Sequence, residues 1–394
     1  MSAVLEPTSS PAAPAADRRR RPSGSLAERW RALAAPPRIV GLDVARALAV
    51  IGMVGAHLGG LGNDQLLWWR PSTWETLARG YPSILFALLA GISLALLSGR
   101  DRPPSDPDAI RRLRLRLVGR GAAIFALGAG LELLGTPVAV VLGLYGVVFV
   151  IAPLFVLWTT PRLLAAAAGL ALLGPLAVAV VRLLSLGSDG PSVGLVLGYF
   201  PITVWLVPVL IGIAVGRAGV TRAGVLRATA VGGVLLVAAG RLLATLTPAA
   251  PDADPLAAER ATSYLERVHA RGSLRGLLHD WLAAGAHSGG LAEILDGTGA
   301  ALVVVALCVV IGRRAGVALV PLAALGTLPL TGYAAHLLVV SAVMGGPGGS
   351  IGGNAWLWAG TALGLVVGCL AWALLAGQGP LERWVARVAA RFAS

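Results

Sequence analysis

Apolar runs of roughly 17 to 25 residues recur along most of this chain, and a helix of that length crosses about 30 Å of hydrocarbon. Ten can be drawn, at approximately 39–61, 81–98, 117–135, 137–158, 163–184, 197–217, 225–247, 291–312, 318–345 and 355–376. The sequence therefore predicts an all-α, polytopic membrane helix bundle with about ten (10–11) transmembrane helices. The ninth run is too long for one simple span and carries Gly326 and Pro329, so a short re-entrant or interfacial piece followed by a proper span is expected there. With 56% hydrophobic and only 13% charged residues, a soluble multidomain protein is excluded.

The net charge of +13 comes from 32 basic residues, all of them arginine. They sit in short clusters between apolar runs and form no continuous basic face, which argues against a nucleic-acid partner. Arginine near short loops is retained on the cytoplasmic side. With the N-terminus inside, 23 arginines fall on the cytoplasmic side and 8 on the other, Arg46 being left within the first span. Both termini are thus expected in the cytoplasm of a multi-pass plasma-membrane protein.

Three regions follow along the chain. Residues 1–36 read as a disordered cytoplasmic tail, ending in a surface helix near Leu26 to Leu33. Residues 37–378 form the transmembrane domain, and 379–394 a cytoplasmic C-terminal amphipathic segment. Trp68, Trp69 and Trp74 fit an interfacial aromatic belt. A second outer segment, 247–290, predicts a helix near 255–270. Its His269, His279 and His287 match no ligand spacing and read as solvated loop residues, so no metal site is expected. Cys308 and Cys369 lie in apolar stretches and read as small hydrophobes.

Ionisable groups inside apolar spans are costly unless they meet a partner or a wet cavity, which makes them functional candidates. Asp43, Arg46, Val50, Met53 and His57 follow at intervals of 3, 4, 3 and 4, placing them on one helical face. Asp43 and Arg46 can neutralise each other. His57 lies about 21 Å further along the axis and needs a different reason to be there. A neighbouring stripe of Ala45, Ala49, Gly52, Ala56 and Gly59 permits close helix packing. The other intramembrane histidine, His336, follows a Gly-Pro-Gly interruption together with Thr331 and Tyr333. No Walker loop, G-x-S-x-G elbow, C-x-x-C or H-E-x-x-H occurs, which removes the main support for ATP-driven, serine-hydrolase, redox and zincin chemistry.

The string from Arg38 to Met53 followed by His57 resembles the first helix of the heparan-alpha-glucosaminide N-acetyltransferase catalytic-domain family, in particular its actinobacterial membrane members. Ser83 to Phe86 with Gly91 and Ser93, Leu144 to Gly146, Tyr199 to Pro201 with Trp205, and Gly212 to Arg217 continue the likeness. So do His287 to Gly289, Leu330 to Tyr333 with His336, and Gly379 to Glu382, so that it covers nearly all of 38–385. The resemblance implies an integral membrane acyltransferase that moves an acyl group, expected to be acetyl, from cytoplasmic acyl-CoA to a glycan, lipid-linked or other cell-envelope acceptor. Acyl-CoA would then be a co-substrate, with no bound cofactor, and a homodimer is compatible with it. Two departures stand out. His57 occupies a place where better-known members tend to carry Asn, and their catalytic histidine in the following loop has no counterpart in 58–80. Tyr81 also replaces an arginine common in close bacterial members.

On this reading His57 and His336 are the candidate catalytic residues, and Asp43, Arg46, Ser83, Thr331 and Tyr333 the candidates for substrate or donor binding. His57 would act as general base toward the acceptor or as a transient acyl carrier, with His336 or Thr331 orienting the donor thioester. Arg46 and the cluster Arg111 to Arg120 would hold the donor's phosphates. The alternative is a transporter or flippase for a lipid-linked or glycan substrate, without covalent chemistry. Single-cysteine labelling in intact cells should place residues 100–116 and 383–394 inside and 250–285 outside. Labelling of 250–285 from the same side as the C-terminus would overturn this orientation.

Overall fold

The computed structural model describes residues 24–59, 78–185, 200–248, 274–344 and 355–394. Trp68, Trp69, Trp74, His269, the basic run Arg18 to Arg21 and the expected helix at 255–270 lie outside the described residues. Regular structure among the described residues is helical throughout. In chain order the helices are α1 (Leu26–Ala34), α2 (Val40–Leu58), α3 (Tyr81–Leu97), α4 (Pro107–Glu132), α5 (Leu142–Ile151), α6 (Thr160–Ser185) and α7 (Ile202–Ala218). There follow α8 (Ala223–Leu246), α9 (Leu274–Leu282), α10 (Leu291–Ala315), α11 (Val320–Thr327), α12 (Pro329–Met344), α13 (Ala355–Leu375) and α14 (Pro380–Phe392).

Local signals set many of these boundaries. At α1 a capping box joins Ser25 and Glu28, each side chain accepting from the other's backbone N–H. Asp106 caps α4 by accepting from Ala109 N–H, with Pro107 in the first helical position. Gly219 ends α7 in a left-handed conformation at φ 91°. Between α11 and α12 the chain breaks at Leu328, and the two helices are bent by 87°. This is the interruption expected around Gly326 and Pro329.

The count of about ten spans does not hold. Five described helices are long and apolar enough to cross a membrane, namely α2, α6, α8, α10 and α13, and the bent pair α11 and α12 makes six if counted as one. The runs at 81–98, 137–158 and 197–217 become the shorter apolar helices α3, α5 with its 3-10 turn Ala152–Leu154, and α7. A 17-residue helix such as α3 or α7 reaches only about 25 Å at 1.5 Å per residue. Both are buried along most of their length among other helices. Their apolarity therefore serves contacts with protein, and a hydropathy pattern does not separate that from contact with lipid. The run at 117–135 belongs to α4, which begins in the arginine cluster and carries Arg111, Arg112, Arg114, Arg116 and Arg120 along its first half.

Helix α2 is the axis of the arrangement, contacting α3, α10, α11, α12 and α13. Its Ala45 and Ala49 are fully buried, in keeping with the small-residue stripe. Glycine permits the closest approaches. A Cβ on Gly91 of α3 would strike the carbonyl oxygen of Val209 in α7, and one on Gly212 of α7 would strike that of Leu88 in α3. Gly326 at the end of α11 is similarly pressed on the carbonyl oxygen of Asp43. The C-terminal helix α14 lies along α4 with Val385 and Ala389 buried, while Arg383, Arg387 and Arg391 are exposed.

Gly326→Ala should therefore force α11 away from α2 and destabilise the detergent-purified protein by about 1–3 kcal/mol, the usual cost of overpacking. Gly130→Ala, where an added Cβ meets nothing within 4 Å, should leave the melting temperature unchanged or raise it. Equal melting temperatures for the two variants would refute this packing.

Candidate functional site

The polar face of α2 opens onto two cavities, one near each end. The larger, about 620 Å³, lies at the Asp43 end and is lined by Arg38, Asp43, Arg46, Ser93, Arg120 and Glu382, with apolar walls from Phe86, Leu89, Tyr145 and Phe149. Its volume falls in the range of small-molecule sites. Asp43, 6% exposed, pairs with Arg46 at 2.6 Å and faces Arg38 at 3.8 Å. Arg46 also donates to Ser93 Oγ at 3.1 Å. One carboxylate thus holds two guanidinium groups, offsetting much of the cost of placing them in a membrane protein.

Arg120 extends the positive lining. Its guanidinium carbon lies 5.5 Å from the centroid of the Phe149 ring, a cation–π arrangement. Its Nε is buried and has no hydrogen-bond partner among the described residues. The rest of the cluster divides from it, because Arg111, Arg112, Arg114 and Arg116 are exposed and do not line the cavity. Glu382, the other acid in the lining, is already engaged. It accepts from the backbone N–H groups of Leu330 at 2.8 Å and Thr331 at 3.0 Å, and from the Thr331 hydroxyl at 2.6 Å. A carboxylate at the first turn of α12 satisfies donors the helix cannot, and suits the positive end of its dipole. Thr331, expected beside the donor thioester, is held there as part of this cap.

The second cavity, about 40 Å³, lies at the His57 end and is lined by Met53, His57, Ser83, Phe200, His287 and Tyr333 among others. The two histidines singled out in the sequence, 279 residues apart, meet here: His57 Nδ1 and His336 Nε2 are 3.1 Å apart. Their rings are nearly parallel, at 10° with centroids 5.3 Å apart. His336 is fully buried behind His57, and the Tyr333 ring stands across it at 75° with centroids 4.8 Å apart. Tyr333 Oη accepts from Val141 N–H at 3.3 Å. Ser83 turns its hydroxyl back to the Gly80 carbonyl at 2.7 Å, while its own carbonyl accepts from Tyr145 Oη at 2.9 Å. Since Tyr145 lines the large cavity and Ser83 the small one, this bond links the walls of the two.

His57, Ser83 and Tyr333 thus line one cavity with His336 paired to His57, Asp43 and Arg46 line the other, and Thr331 belongs to the helix cap. The sequence reading missed His287. Expected as a solvated loop residue, it lines the same cavity as His57 and packs against Phe200 and Trp205. Its one sequence signal was the His287 to Gly289 string, whose spacing to other histidines suggests nothing. Glu382 was equally hidden, because a helix cap supplied from 51 residues away in the chain has no local pattern. Tyr81, at the start of α3, donates to Asp296 at 2.6 Å and accepts from Arg241 at 2.7 Å.

A comparison with protein families matches residues 38–244 to the family described as heparan-alpha-glucosaminide N-acetyltransferase, catalytic. No curated protein matches the chain. The matched segment covers more than half of the sequence and carries Asp43, Arg46, His57, Ser83 and Arg120, whereas His287, Thr331, Tyr333, His336 and Glu382 lie beyond it. With that match, and with the polar face of α2 forming the wall of both cavities, the chain belongs to the heparan-alpha-glucosaminide N-acetyltransferase catalytic-domain family.

Proposed function

We propose that this protein is an integral membrane acyltransferase that moves an acetyl group from cytoplasmic acyl-CoA to a hydroxyl or amine of a glycan or other cell-envelope acceptor. The observation that carries this reading is the His57–His336 hydrogen bond at a cavity whose wall is joined, Tyr145 Oη to the Ser83 carbonyl, to that of a second, arginine-lined cavity. The larger cavity suits the anionic donor. Arg38, Arg46 and Arg120 offer charged donors to phosphate oxygens, and Phe86, Leu89 and Phe149 offer apolar contact to the arm bearing the thioester. In this reading the chain sits in the plasma membrane with both termini inside, so the Asp43 end of α2 faces the cytoplasm and the His57 end the opposite side.

The acid–base assignment takes one of the two tautomers that this pair allows. When His57 Nδ1–H donates to His336 Nε2, His57 Nε2 is left as the basic nitrogen, and His336 carries its own proton on Nδ1. The acceptor's oxygen or nitrogen then bonds the thioester carbonyl carbon while its proton passes to His57 Nε2. The C–S bond breaks with its electron pair leaving on sulfur, and the same His57 proton goes to that sulfur to give the free thiol. Atoms and charges balance within donor, acceptor and one imidazole. His336 acts through His57 and is a positioning residue, fixing its tautomer and ring plane. Tyr333, edge-on to His336, fixes that ring in turn.

Acetyl-CoA should raise the melting temperature of the purified protein. Arg46→Ala should weaken that shift, while Arg162→Ala, at an exposed arginine away from both cavities, should not. Turnover, read as CoA thiol release with a glucosaminide acceptor, should fall by about 10² or more in His57→Ala with donor stabilisation retained. His57→Asn should be similarly slow, since it keeps a hydrogen-bonding side chain but removes the titratable nitrogen. Near-normal turnover in His57→Asn would show that His57 is a packing residue. A protein that acetyl-CoA does not stabilise, and that releases no thiol, would instead fit the transporter or flippase alternative.

A further inference from the structure

The cavity that holds His57 has a second imidazole in its wall, that of His287. His287 comes from the loop between α9 and α10, more than 200 residues from His57 in the chain. That loop is built with unusual care. His287 has φ 61° and Gly289 φ 71°, and the first value is rare for a residue with a side chain. Glu293, in the first turn of α10, accepts from His287 N–H at 2.6 Å, from Gly289 N–H at 2.8 Å and from the Ser288 hydroxyl at 3.1 Å. The imidazole stands edge-on to Phe200 at 88°, with centroids 5.3 Å apart, and nearly parallel to Trp205 at 16° and 6.3 Å.

Backbone in a sparsely populated region persists only where its surroundings over-determine it, and such places cluster at functional sites. Here a carboxylate is taken out of water to hold three residues, and the outcome is one imidazole fixed in position and plane. Direction matters too. His336 is fully buried on the far side of His57, whereas His287 is half-buried and the adjacent Ala284, Gly285 and Ala286 are exposed. The His287 loop therefore runs from the wall of the small cavity to the protein surface.

We propose that His287 is the acceptor-binding residue of this site: its imidazole hydrogen-bonds the nucleophilic hydroxyl or amine of a glycan acceptor and holds it against the acyl carbon facing His57. Glu293 is its positioning residue, acting through the loop. This assignment rests on the acyl-transfer reading above.

The test uses the full-length protein in detergent, with acetyl-CoA as donor and methyl glucosaminide, or an envelope glycan extract, as acceptor. In His287→Ala the acceptor KM should rise at least tenfold, with the acetyl-CoA-induced melting shift matching the parent's. His287→Asn, whose amide can still hydrogen-bond, should recover part of that loss, and Glu293→Gln should raise the same KM by a smaller factor. Should His287→Ala fail to fold, His287→Asn and Glu293→Gln decide the matter by the same KM readout. An unchanged acceptor KM in the folded variants would overturn the assignment. A parent that is stabilised by acetyl-CoA but releases no thiol with either acceptor would refute this acceptor site alone. A parent that acetyl-CoA does not stabilise would refute the acyl-transfer reading itself.

Discussion

A polar side chain inside a membrane bundle has no bulk water to satisfy it, and an ionised one costs about 2.5–3.5 kcal/mol at mid-helix even on the more lenient scales. Helix α2 carries Asp43, Arg46 and His57 on one face, so neighbouring helices must bring partners to that face. Much of the architecture follows. Ser93 of α3 meets Arg46, and His336 of α12 meets His57. Gly326 lets α11 reach the Asp43 backbone, and the break at Leu328 then redirects the chain so that α12 can carry its histidine to the other end of α2. A straight helix through 318–345 would have no such freedom, because its rise per residue fixes where His336 falls.

The same requirement separates the two cavities chemically. At one end charge is abundant and mutually compensated, with Asp43 between Arg38 and Arg46 and with Glu382 spent on the α12 cap, which leaves Arg120 as the less engaged cation. At the other end the lining includes the imidazoles of His57 and His287, Ser83 and the rings of Phe200 and Tyr333, and no carboxylate among the described residues. An environment of the first kind offers charged donors to an anion. Tyr145 and Ser83 join the walls of the two cavities through one hydrogen bond.

The C-terminal helix α14 touches two of the helices that build this interior. Its Val385 and Ala389 pack on α4, the helix that bears Arg120, while its Glu382 caps α12, the helix that bears Tyr333 and His336. This gives a short amphipathic segment a structural role that its exposed arginines alone do not suggest.

By itself the sequence determined that the protein is helical and membrane-embedded, because long apolar runs admit few other solutions. It also determined that one face of α2 is polar, because 3.6-residue periodicity acts locally, and that the chain breaks between Gly326 and Pro329. What it did not determine is how many apolar runs face lipid. Helices α3 and α7 are as apolar as a spanning helix, yet they are short and buried against protein, and transfer from water rewards either environment alike. Tertiary structure alone decided which polar groups meet. His57 with His336, Glu382 with the start of α12, and Glu293 with the His287 loop are joined across helices or around a turn whose shape no spacing rule encodes. Periodicity fixes the direction of a side chain from its own helix; only the packing of helices fixes what lies in that direction.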